Sequence, residues 1–113
     1  FFTIMGTGVE EACRALEEAG ASAVGSNCGQ GSDAMVEIAS EFRRRTALPV
    51  AIQPNAGIPR REAGETVWPE PPDFMASRVR DLLRSGVRIV GGCCGTTPEH
   101  VRAFRGVVEE GGR

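Results

Sequence analysis

Four short apolar runs, each followed by an amphipathic stretch, limit this chain to a parallel sheet flanked by helices. The runs occupy residues 1–6, 21–26, 48–53 and 87–91. After the first, residues 9–19 put Val9, Ala12, Cys13, Leu16 and Ala19 on one stripe, with Thr7 and Glu10 spaced as a capping box and Gly20 as the stop. After the second, Ser32 or Asp33 is placed to cap a helix to about Arg45, with Met35, Val36, Ile38, Ala39 and Phe42 facing inward. Pro72 and Asp73 suit the first turn of a third helix to about Ser85, whose Val79, Leu82 and Leu83 face inward and which Gly86 stops. The last helix follows Thr96 or Thr97 as cap, with Pro98 near its first position. Strands written as nearly continuous apolar runs read as buried on both faces. Alternating β and α implies parallel strands and right-handed crossovers. The expected fold class is therefore α/β, with four parallel β-α units in a single domain over residues 1–113. That suits half of an eight-stranded barrel or a small open sheet. Residues 56–72 read as one long Pro- and Gly-bearing loop, of a length that is usually functional. Its Trp68 either covers a site or anchors the loop.

The chain has 113 residues, 41% of them hydrophobic, enough for one core. All 13 basic residues are arginine, and a net charge of −2 argues against nucleic acid or an anionic membrane as partner. Arg43-Arg44-Arg45 lies at a helix end, where cations favour the dipole, and reads as a solvated terminus. No apolar run approaches the roughly 20 residues needed to span a bilayer. The opening residues lack a signal peptide's charged leader and cleavage site, and with no initiator Met the chain reads as cut from a longer one. Four cysteines without small-scaffold spacing point to reduced thiols and a cytoplasmic setting.

Three of those cysteines carry the chemistry. Cys28 follows the second apolar run, and Cys93 and Cys94 follow the fourth, in Gly91-Gly92-Cys93-Cys94-Gly95-Thr96-Thr97-Pro98. Ligands in parallel α/β folds bind at the C-terminal ends of the strands, so these three thiols and Asn55 belong to one face. Three thiolates and one open position describe a catalytic zinc site. A substrate thiol taking that position would lose its proton and become a nucleophile, and alkyl transfer to sulfur is the natural reaction. The plainer alternatives are a pair of buried small hydrophobes, a vicinal disulfide, or a redox role, the last disfavoured by the lack of a Cys-x-x-Cys pair. Cys13, on the apolar stripe of the first helix, reads as an inert core thiol. His100 lies in the first turn of the last helix and reads as outward-pointing, with a surface or packing role rather than ligation.

Residues 91–100, with Gly25-Ser26-Asn27-Cys28 and Pro54-Asn55-Ala56-Gly57-Ile58-Pro59 in the same order, resemble the homocysteine S-methyltransferase family. Pro54-Asn55-Ala56-Gly57 leans toward its methionine synthase branch. The resemblance implies the C-terminal half of a TIM (β/α)8 barrel, with Zn2+ held by Cys28, Cys93 and Cys94 and no catalytic residue beyond those ligands. It implies homocysteine as substrate and methionine as product, with Asn27, Asn55 and Gly92 shaping the pocket. The methyl donor would be methylcobalamin, methylfolate acting through it, betaine or S-methylmethionine, and is not bound by this chain alone. Family members have all eight β-α units, and most groups that hold homocysteine's amino acid end come from the first half. The expected partner is therefore an N-terminal half-barrel or a second copy in a homo-oligomer, since exposed sheet edges invite pairing. The other reading is a non-catalytic zinc-binding half-barrel.

Overall fold

A computed structural model of the chain describes residues 1–3 and 5–111. Its elements run α1 (Val9–Glu18), β1 (Val24–Cys28), α2 (Ser32–Arg45), β2 (Val50–Pro54), β3 (Arg60–Glu62), β4 (Glu65–Val67), α3 (Pro72–Arg84), β5 (Ile89–Val90) and α4 (Pro98–Glu109). The strands β1, β2 and β5 form a parallel sheet in that order, with Val24 opposite Val50, Cys28 opposite Pro54, and Ile52 opposite Val90. Both crossovers advance in the same direction, so one hand of connection puts α2 and α3 on the same face.

Helices α2, α3 and α4 each bury a row of residues at i, i+4 and i+7, apolar but for His100. Met35, Ala39 and Phe42 are the buried row of α2; Met75, Val79 and Leu82 that of α3; His100, Phe104 and Val107 that of α4. The α2 row meets Val24, Val50 and Ile52 of the sheet, with Leu82 and Val87 closing the cluster. A second cluster joins α3 to α4 through Met75, Val79, Phe104 and Val107, over Ala56. Each fully buried Ile, Leu or Met here contributes roughly 1.5–3 kcal/mol of transfer free energy. In α1 only Val9 and Cys13 are buried, and Leu16, the next member of the stripe, is exposed.

The structure corrects the sequence reading in five places. Residues 1–6 do not form a strand beside β1. The Thr3 N–H bonds the Thr7 carbonyl, the Gly6 N–H bonds the Thr3 carbonyl, and Phe2 bridges back to Gly8, so the segment closes on itself. Ile4, in that run, lies outside the described residues. A groove of about 280 Å³ separates the segment from β1, lined by Phe1, Phe2, Gly25, Met35, Ile38 and Phe42. Three of the four expected β-α units are thus present among the described residues.

Second, the sheet is buried on one face only. Burial alternates: Val24, Val50, Ile52 and Pro54 are covered, while Gly25, Asn27, Gln53 and Ile89 are exposed. All the helices that pack on the sheet do so from one side, and the short apolar runs carry no signal for which face they cover. Third, residues 56–72 are not one loop. They contain the antiparallel hairpin β3–β4, turned by Ala63 and Gly64, both at positive φ (50° and 82°). That is the two-residue geometry that matches strand twist. Fourth, Thr7 does not cap α1, and neither Ser32 nor Asp33 caps α2. Gly8 and Gly31 hold those positions without side-chain caps, because Thr7 is used in the N-terminal turn and Ser32 is already the first helical residue. Thr97 does cap α4, with Pro98 in its first turn. Fifth, His100 turns inward and is buried. No helix among the described residues is long and apolar enough to cross a membrane.

Candidate metal centre

The three parallel strands end on one side, and the loops that follow them converge there. Cys28 is the last residue of β1 and sits at φ 65°, a left-handed turn that swings the chain off the sheet. Cys93 extends the ladder beyond β5, its N–H bonding the Pro54 carbonyl at 3.0 Å. The Ala56 N–H bonds the Cys94 carbonyl at 2.9 Å, and the Asn55 N–H bonds the Cys28 carbonyl at 3.3 Å. Thr96 takes the Cys93 carbonyl twice, through its N–H at 3.2 Å and its hydroxyl at 2.7 Å. Residues 65 apart in sequence are thereby placed side by side.

The Cys28 and Cys93 sulfurs are 2.7 Å apart, those of Cys93 and Cys94 3.9 Å, and all three lie within 4.8 Å of one another. All three are free thiols, Cys28 and Cys93 half-buried and Cys94 exposed. Tetrahedral Zn–S bonds of about 2.3 Å require sulfurs about 3.8 Å apart. The Cys93–Cys94 spacing meets this, and the Cys28–Cys93 pair, at 2.7 Å, is closer than a shared metal would hold it. A soft, all-sulfur donor set at this spacing fits a thiophilic dication. Among the described residues this is the one group of three metal-ligating side chains found together.

The thiols do not share protons evenly. The hydrogen bond between Cys28 and Cys93 pushes the Cys28 thiol up to about 11, burial adding to the effect. The same bond lowers Cys93, helped by its backbone link at Cys94 and by the Asn27 amide. Asn27 Nδ2 donates toward Cys28 Sγ at 3.6 Å and Cys93 Sγ at 3.9 Å. Cys93 thus gives up its proton before Cys28.

The other sequence candidates fall as follows. Asn55 is a crosspiece: its Nδ2 donates to the Gly29 carbonyl at 2.9 Å and its Oδ1 accepts the Cys94 N–H at 3.2 Å, tying the Cys28 loop to the Cys93-Cys94 loop. Gly92 is half-buried, and a Cβ there would lie 2.4 Å from the Thr96 hydroxyl. Cys13 is buried in the α1–α2 core, apart from the cluster, and burial raises its thiol. Both ring nitrogens of His100 are engaged. Nδ1 accepts the Thr97 N–H at 3.1 Å, so Nε2 carries the proton and donates to the Glu70 carbonyl at 2.8 Å. That leaves no lone pair for a metal. Trp68 is half-buried with its ring against Gly95, where a Cβ would come within 2.1 Å of it.

Glu70 was not legible as part of the site. Its carboxylate takes the N–H of the buried Ser32 at 3.2 Å and also the Ser32 hydroxyl. The one sequence cue is the proline ring set around it, Pro69, Pro71 and Pro72, which stiffens the segment.

Comparison with known proteins points the same way. A family model described as homocysteine S-methyltransferase matches residues 2–108. The chain is 34% identical over 106 residues to a methionine synthase of Mycobacterium leprae (strain TN), and 35% identical over 106 residues to one of Mycobacterium tuberculosis (strain ATCC 25618 / H37Rv). Each match takes in 93% of this chain but 9% of the relative, so the chain spans under a tenth of the curated proteins it matches. Among solved structures, the homocysteine methyltransferase MmuM from Escherichia coli, in an oxidised form, superposes with a TM-score of 0.66 at 26% identity. That match covers 89% of this chain and 30% of the other.

Proposed function

This chain belongs to the homocysteine S-methyltransferase family, and on that premise we propose that it is the thiol-activating half of a methyltransferase that converts homocysteine to methionine. Residues 1–113 would form one domain, the C-terminal half of a (β/α)8 barrel. Cys28, Cys93 and Cys94 would hold Zn2+ at the C-terminal end of the sheet. Zinc, when bound, lowers the pKa of a thiol at its open position and so supplies a thiolate at neutral pH. The observation that carries this reading is the convergence of three sulfurs within 4.8 Å at the ends of parallel strands, in a chain of this family.

The chain's own residues have distinct tasks in it. The loops after β1 and β5 bring the sulfurs together, and Asn55 spans them so that the separation does not drift. The Asn27 amide donates toward two of the sulfurs and tempers their charge. Gly92, without a side chain, lets Thr96 close against it and hold the Cys93 carbonyl, which fixes the turn that carries Cys93. In the transfer, a new C–S bond forms as the bond from the methyl carbon to its donor breaks, and the donor leaves with that electron pair. Methylcobalamin or methylfolate is the proposed donor, brought by parts of the protein outside this chain. Reduced thiols at the site favour a cytoplasmic location.

A second reading rests on the open face of the sheet, where Asn27, Gln53 and Ile89 are exposed. Parallel sheets are stable with both faces covered. On this reading the chain is a zinc-binding half-barrel, inactive until an N-terminal half or a second copy covers that face. Cobalt substitution separates the two. Homocysteine entering the metal's coordination shell changes the d–d spectrum, as the methyltransferase reading expects. An unchanged spectrum at millimolar homocysteine leaves the second. Failure of wild-type protein to retain one zinc per chain overturns both.

A further inference from the structure

Each thiol-bearing loop is tied to one residue outside the sheet. Glu70 lies between the hairpin β3–β4 and α3, and bonds through all three of its polar parts. Its N–H donates to the Ala56 carbonyl at 3.1 Å, and Ala56 in turn holds the Cys94 carbonyl. Its C=O accepts the His100 Nε2–H at 2.8 Å, at the start of the helix that follows Cys93 and Cys94. Its carboxylate receives the N–H and hydroxyl of Ser32, four residues after Cys28. Ser32 is wholly buried and heads α2, whose N-cap, Gly31, supplies no side-chain cap. The carboxylate therefore does across space what a neighbouring Ser or Asp ordinarily does, satisfying one orphan N–H, that of Ser32, and opposing the positive end of the helix. The packing leaves little slack: a Cβ at Gly31 would lie 2.3 Å from Glu70 Oε2, and one at Gly57 3.2 Å from Glu70 Cγ.

We propose that Glu70 is a positioning residue of the three-thiol site, its carboxylate setting the Cys28 loop in register with the Cys93–Cys94 loop. This deepens the reading of the site given above and rests on it only for the metal. The division of labour is specific. Removing the carboxylate frees Ser32 and the far end of the loop that carries Cys28, leaving that loop held by the Asn55 bonds to Cys28 and Gly29. The backbone bonds of residue 70 to Ala56 and His100 do not depend on the side chain and are kept with Ala or Gln there, so Cys93 and Cys94 keep their places. Loss of Glu70 loosens one sulfur of three and leaves the other two.

The test uses a readout that needs no metal. In metal-free protein, Cys28 and Cys93 form a disulfide by exchange with oxidised glutathione, releasing two reduced glutathiones, and the equilibrium measures how well the two sulfurs are held together. With the Cys28–Cys93 disulfide quantified by peptide mass spectrometry, Glu70→Ala is expected to lower their effective concentration about tenfold or more, the scale of outer-shell losses. Glu70→Gln, which still offers Ser32 an oxygen, is expected to recover most of it. Val107→Ala, a core truncation in α4, serves as the control for general destabilisation and should leave it unchanged. Zinc affinity by chelator competition should follow the same order. An effective concentration in Glu70→Ala equal to wild type, or an equal fall in Val107→Ala, overturns the proposal. Should wild type fail to retain zinc, the metal reading falls, while the glutathione equilibrium still decides the role of Glu70.

Discussion

At the scale of single residues, the four cysteines separate into two kinds by what surrounds them. Cys28, Cys93 and Cys94 sit on loop ends with their sulfurs together, and Cys13 is enclosed by α1 and α2. Serine at 28, 93 or 94 is expected to weaken zinc binding by more than about a hundredfold, beyond the usual outer-shell loss, as read by chelator competition. Cys13→Ser should leave zinc affinity unchanged and lower stability by roughly 1–3 kcal/mol in urea, because it buries a hydroxyl in an apolar site. Equal zinc loss at all four positions would refute this sorting. Protonation gives a second test. Cys93 is lowered and Cys28 is pushed up to about 11, each first by their mutual hydrogen bond. Thiolate absorbance in metal-free protein should therefore rise in separate steps, Cys93 below the ordinary thiol range and Cys28 near 11. Because a ligating Cys28 must surrender its proton, zinc affinity should increase with pH throughout the neutral range. A single step for Cys28 and Cys93 together would count against the asymmetry. The meeting of the three cysteines was legible because the strand ends and the double cysteine are local signals. Glu70 was not, since its partner Ser32 is 38 residues away and nothing in either neighbourhood marks the pair.

The same contrast holds for whole elements. Helices α2 and α3 were readable because each places its buried row at i, i+4 and i+7, a pattern written in consecutive turns. Helix caps were less so: Thr97 acts locally, whereas α2 is capped from a distant loop. The hairpin β3–β4 was invisible for a physical reason. Its strands are three residues each, mostly charged, and its turn is Ala63-Gly64 rather than the Asn-Gly that announces such turns. Arg61 stabilises it instead, donating to the Gly64 carbonyl at 2.6 Å and the Thr66 hydroxyl at 3.1 Å. Ala63 carries a Cβ at φ 50°, a conformation that costs most non-glycine residues about 1 kcal/mol. Ala63→Asn is thus expected to stabilise the hairpin by up to about 1 kcal/mol, seen as slower amide exchange over residues 60–67. Faster exchange in that variant would show that the turn is held by Arg61 alone.

For the molecule as a whole, the decisive property is a parallel sheet covered by helices, among the described residues, on one side. β1 has no neighbouring strand on its outer edge among the described residues, because residues 1–6 turn back on themselves instead of pairing there. The sequence reading took the runs as nearly continuous apolar stretches, and the polar Asn27 and Gln53 near their ends mark the face that is left exposed. Such a sheet should associate through its bare face and edges. Light scattering at micromolar concentration is expected to find species larger than one chain, and addition of a complementary N-terminal half-barrel should displace them. A single monomeric species that ignores the added half would remove the case for a missing counterpart.

The make-up of that bare face indicates what fits against it. Apart from Ile89, it presents Gly25, Ala51 and Gly91, which have almost no side chain, and the amides of Asn27 and Gln53. Two such surfaces pressed together would enclose a hollow, since neither brings the volume to fill it, and unfilled space is costly in a folded interior. A counterpart bearing large aliphatic or aromatic groups would supply what this half lacks. Self-pairing is then a makeshift, and the natural complement is a surface of opposite relief.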